Sequence, residues 1–174
     1  MPDAPEIPAA ADPFEKRVAI SIAVLAVILS FVGNLGDNAK TDAIIKTNEA
    51  SNKWGHFQAK SIKGEIAGMH GDLLAALGGT PPDEARTKEI AHLRDEVVRY
   101  ENEKADIQKE ALDLQREAKR DSTINDRCDL ASLMLQIAVV ICSVAILSRW
   151  HAIWFAGLAL GLAGAIAGAT AFLL

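Results

Sequence analysis

The chain has 174 residues, 50% of them apolar and 24% charged, with a formal net charge of −5. That balance disfavours a nucleic-acid partner, which calls for a basic face. Its two cysteines lack the spacing of a disulfide framework or a zinc site. The averages conceal a segregation. No charged residue lies in Val18–Leu35, Leu130–Leu147 or Ala152–Leu174, whereas charges of both signs recur at almost every turn between the first two segments.

Residues 1–12 read as a disordered tail. Asp12-Pro13-Phe14-Glu15 then has the order of a helix start, with Asp as cap, Pro at the first helical position and Glu at the third. A hydrocarbon core needs roughly 20 apolar residues in a helix, so 13–35 is expected to be a first transmembrane helix. Asn34, Gly36 and Asp37 come after it in place of a small-residue cleavage site, and the segment reads as a retained anchor.

No proline interrupts the next stretch until Gly78-Gly79-Thr80-Pro81-Pro82. The pattern predicts two long helices, Pro13–Leu77 and Pro81–Leu147, each about 100 Å long at roughly 1.5 Å per residue. Glycine would close the first, and Thr80 would cap the second. Residues 36–129 are therefore expected to form an extramembrane antiparallel hairpin with its tip at 78–82. Its second leg carries a seven-residue repeat: Ile90, Leu93, Val97, Tyr100, Lys104, Ile107, Ala111, Leu114 and Ala118. On the first leg, Ile62, Ile66, Met69 and Leu73 are expected to continue the seam. Nearer the membrane its positions would be Asn48, Asn52, Gly55 and Ala59. Gly64, Gly68, Gly71 and Ala75 share a stripe and imply close helix packing rather than a break.

A second transmembrane helix is expected over 130–147 and a third over 152–174. Only Ser148, Arg149, Trp150 and His151 separate them, so the two must be antiparallel neighbours. Trp150 and Trp154 suit a membrane–water interface. Gly157, Gly161, Gly164 and Gly168 fall at helical spacing, as helix-packing or oligomer contacts do in membranes. Ser132, Gln136 and Ser143 share one face of the second span, where they can line a pore or bond to a neighbouring helix. Cys128 and Cys142 stand 14 residues apart in one helix, roughly 21 Å along its axis and too far to bridge.

Ala50-Ser51-Asn52-Lys53-Trp54-Gly55-His56-Phe57-Gln58-Ala59-Lys60-Ser61-Ile62-Lys63 resembles a stretch shared by the bacterial domain of unknown function 4337 family of small membrane proteins. That stretch runs approximately Ala-Ser-Asp-x-Trp-x-x-Tyr-Gln-Ala-Lys-Ser-Ile-Lys. Asn52 here replaces the acid and Phe57 the tyrosine, so this chain offers no carboxylate at that position. The order of elements is similar too. The resemblance implies membrane localisation and a bacterial source, and it carries no activity. Read from the residues, Trp54 and Phe57 share one side of the first leg, roughly 30 Å beyond the span. An aromatic pair there fits a contact with another helix or subunit.

The expectation is an all-α integral membrane protein with three transmembrane helices and a coiled-coil-like hairpin between the first two. No catalytic set, metal motif or cofactor loop occurs, and neither catalysis nor a cofactor is expected. His56, His70, His92 and His151 form no ligand motif. The spans contain no ionisable residue, which disfavours ion-coupled transport. The expected partners are the lipid bilayer and further copies of the chain, which self-associates as a scaffold or interaction stalk. The rival is a subunit of a homo-oligomeric channel or a transport accessory. Lys16, Arg17 and Arg149 lie on one side, and Lys40, Lys46, Lys53, Arg116, Lys119, Arg120 and Arg127 on the other. That balance favours a bacterial inner-membrane protein with a cytoplasmic hairpin.

Overall fold

The computed structural model describes residues 12–78 and 83–173. The expected amino-terminal tail, apart from Asp12, and Gly79, Thr80, Pro81 and Pro82 at the tip lie outside the described residues. The described chain is helical: α1 spans Pro13–Ala76, α2 Glu84–Ser148 and α3 His151–Ala169, with a 3-10 turn at Thr170–Leu173.

Asp12 caps α1 as its sequence requires. Its Oδ1 accepts the Phe14 N–H at 3.1 Å, and its carbonyl accepts the Lys16 N–H at 3.1 Å. Gly64, Gly68 and Gly71 do not break α1, which runs on to Ala76. The start of α2 differs from expectation. It begins at Glu84, and Asp83 rather than Thr80 is the cap, its Oδ1 accepting the Ala85 N–H at 3.1 Å. Asp83 is non-helical and offers a carboxylate directly before the first helical residue, as a cap requires. At the other end of α2, Arg149 adopts φ 51°. This left-handed residue turns the chain into α3 within two residues, at a cost of roughly 1–2 kcal/mol for a side chain other than glycine.

The chain divides into two compact units, one made of residues up to Thr41 with Arg120–Leu174, the other of Asp42–Lys119. The first is a bundle of three helical segments. Val18, Leu25 and Val32 come from α1, at steps of seven; Cys128, Leu135 and Cys142 come from α2, at the same step, with Ala131 and Ala138 between them. All four glycines of α3, Gly157, Gly161, Gly164 and Gly168, are buried. Large apolar side chains instead point outward: Ile20, Val24, Val27 and Phe31 on α1, Leu133, Val140 and Leu147 on α2, Phe155, Leu162 and Ile166 on α3. The bundle thus combines buried glycines, alanines and a few larger apolar residues with a large apolar outer surface. All three helices contain a stretch long and apolar enough to cross a membrane.

The second unit is an antiparallel helical hairpin. Ala43, Ala50, Gly64, Ala67 and Gly71 of α1 are buried, as are Leu93, Ala111 and Ala118 of α2. The heptad positions of α2 do face its partner leg. On α1 the expected seam is displaced: Ile62, Ile66, Met69 and Leu73 are 56%, 61%, 72% and 56% exposed, and Asn48, Asn52, Gly55 and Ala59 are exposed with them. The reason is steric. A Cβ added at Gly64 would lie 3.5 Å from the Tyr100 Cβ, and one at Gly71 would lie 3.7 Å from the Leu93 Cβ. Tyr100 and Leu93 fill the space between the legs, so α1 presents its smallest residues there and turns its largest away.

Candidate interaction surfaces

The hairpin register is marked by three lysine–glutamate pairs. Lys46 meets Glu117 at 3.2 Å, Lys53 pairs with Glu110 and Lys60 with Glu103. Each step is seven residues forward on α1 and seven back on α2, so one antiparallel register satisfies all three. Exposed pairs contribute about 0–1 kcal/mol each, so their larger effect is to penalise a slipped register. The hydrogen bond from Lys60 holds the Glu103 carboxyl below its ordinary value. Lys104, the one charged member of the α2 heptad, lies with its Nζ 5.6 Å from the centroid of the Phe57 ring and 2.8 Å from Glu101.

Trp54 and Phe57 stack edge-on, with ring centroids 5.4 Å apart. Phe57 is half-buried toward α2, and Trp54 is half-buried beside it. The aromatic pair therefore contributes to packing within the hairpin, with Lys104 from the other leg against its second ring.

The stripe displaced from the hairpin seam lies on the opposite side of α1. Ile45, Asn48, Asn52, Gly55, Ala59, Ile62, Ile66, Met69 and Leu73 keep to steps of three and four without a break, and every one is exposed. It ends in four consecutive large apolar residues. On α2 the exposed large apolar residues within the hairpin are scattered, at Val98 and Leu112.

In the bundle, α3 is seated by its glycines. A Cβ at Gly157 would lie 2.6 Å from the Cys142 Sγ and 3.3 Å from the Ala138 carbonyl oxygen; one at Gly161 would lie 2.6 Å from the Leu25 Cδ2; one at Gly164, 3.1 Å from the Met134 Cβ; one at Gly168, 3.0 Å from the Val32 Cγ2. Both neighbouring helices thus pack on the α3 backbone. Polar groups gather at the two ends of the bundle. At one end the Arg149 Nη2 meets the Glu15 Oε1 at 3.1 Å, Phe14 stacks on His151 at 4.2 Å, and the Trp154 Nε1 donates to the Ser21 Oγ at 3.3 Å. At the other end the Arg127 Nη1 donates to the Thr170 carbonyl at 3.2 Å, a cation against the carboxyl end of α3 as the helix dipole favours.

The three polar residues of the second span lie four and seven residues apart in the unbroken α2 and differ in exposure. Ser143 is half-buried and donates to the Val139 carbonyl at 2.9 Å. The Ser132 hydroxyl is buried without a hydrogen-bond partner among the described residues. Gln136 is exposed, between the outward-facing Leu133 and Val140. Cys128 and Cys142 are free thiols, both buried. Among the described residues no group of three His, Cys, Asp or Glu side chains could hold a metal.

Two signals in the sequence could have located the α1 seam: lysines at 46, 53 and 60 matched to glutamates at 103, 110 and 117, and small residues at 43, 50, 64 and 71 on the same seven-residue step. A family model described as domain of unknown function (DUF4337) matches residues 14–174. No curated protein and no solved structure matches the chain.

Proposed function

The chain belongs to the DUF4337 family, and from that premise we propose that it is a non-enzymatic, membrane-anchored protein whose hairpin is a stalk on which copies assemble, serving as a scaffold or interaction surface. The observation that carries this reading is the exposed apolar stripe Ile62–Ile66–Met69–Leu73. A soluble hairpin has no use for four large apolar side chains in a line facing water, and such a patch marks a protein contact. Three apolar helices with outward-facing large side chains supply the anchor. The bundle spans a bacterial inner membrane, and the excess of Lys and Arg close to the spans supports a cytoplasmic hairpin.

Native mass spectrometry of the full chain in mild detergent tests this reading. The wild type is expected as an oligomer, and the double variant Ile66→Ser/Met69→Ser as a monomer that keeps its helical content. A monomeric wild type would remove the reading.

Gln136 favours a second reading, a homo-oligomeric channel. It is the polar side chain on an otherwise apolar outward face, and a bare amide in hydrocarbon costs several kcal/mol. Copies that turned Gln136 toward a shared axis would remove that cost. Ion flux through liposomes containing the chain, abolished by Gln136→Leu, would support a channel; absence of flux would dismiss it.

A further inference from the structure

We draw no further inference here: the strongest candidate, the exposed apolar stripe from Ile62 to Leu73 on α1 of the hairpin, already carries the proposed function, and nothing in the structure shows what covers it.

Discussion

In the bundle, large apolar side chains point outward on every helix; in the hairpin they line up on one face of α1, from Ile62 to Leu73, and are scattered elsewhere. Both units bring a glycine of α1 against α2, Gly36 against Cys128 in one and Gly64 against Tyr100 in the other. The difference lies in what surrounds them. A surface that is apolar all round suits lipid, and the three helices are long and apolar enough to cross a membrane. A single apolar line beside Lys63, Glu65, His70 and Asp72 is exposed on one face only, and the proposed function covers it with another helix. The contrast separates two uses of exposed apolar residues that composition alone would merge.

The contrast is broken most severely from the bundle side. Gly157→Leu forces a side chain against the Ala138 carbonyl and the Cys142 backbone nitrogen, both 3.3 Å from the Cβ position. Neither backbone atom can move aside as a side chain would. Overpacking of this kind costs about 1–3 kcal/mol, and thermal unfolding in detergent is expected at a clearly lower temperature. Gly33→Leu is the control, since nothing lies within 4 Å of a Cβ there, and it should unfold close to the wild type.

From the hairpin side, Ile66→Ser/Met69→Ser should leave helix content and monomer stability near wild type, because both residues are exposed in the single chain. Only the oligomer should be lost. An exposed apolar line that merely tolerated water would show the reverse: no change in mass, and a more soluble protein.

Charge reversal sharpens the account of register. Glu110→Lys sets two lysines together at the middle rung of the ladder and should lower hairpin stability by about 1 kcal/mol, the upper end of an exposed pair. Adding Lys53→Glu should restore it. Chemical denaturation of both variants reads the coupling; equal destabilisation by the single and the double variant would deny the ladder any role in register.

The smallest effect expected is one of pH. Glu103 lies below its ordinary value of 4.5 because Lys60 donates to it. Its contribution is therefore present above about pH 4.5 and is lost as pH falls through the lower folded value. The carboxyl is exposed, so the effect is small. The acid limb of the helicity curve should shift slightly upward in pH for Lys60→Met, where the donor is gone, and should not move if the pair is ornamental.

Much of this architecture was legible in the residues. Charge-free stretches located the three apolar helices, Gly78 marked the end of the first leg, and the repeat Ile90–Ala118 found the inner face of α2. The inner face of α1 was not legible by the same rule. Hydrophobicity selects the largest apolar residues for a seam, and on α1 those residues are Ile62, Ile66, Met69 and Leu73. The gap left by Leu93 and Tyr100 admits glycine and alanine, so volume rather than apolarity decides which face turns in. The expected cap at Thr80 was displaced for a local reason: Asp83 offers the first carboxylate after the two prolines. The loop between α2 and α3 reads clearly as short, but nothing in Ser148–His151 announces a left-handed arginine. Its side chain pairs with Glu15, 134 residues away.

Energy transfer between copies in vesicles tests the central claim, that the outward stripe joins membrane-anchored stalks. Donor- and acceptor-labelled chains, carrying Lys88→Cys with Cys128→Ala and Cys142→Ala, are reconstituted together and then diluted with lipid. Transfer is expected to persist on dilution for the chain with its stripe intact and to fall to the level of random placement for Ile66→Ser/Met69→Ser. Transfer that declines with dilution in both would contradict the account.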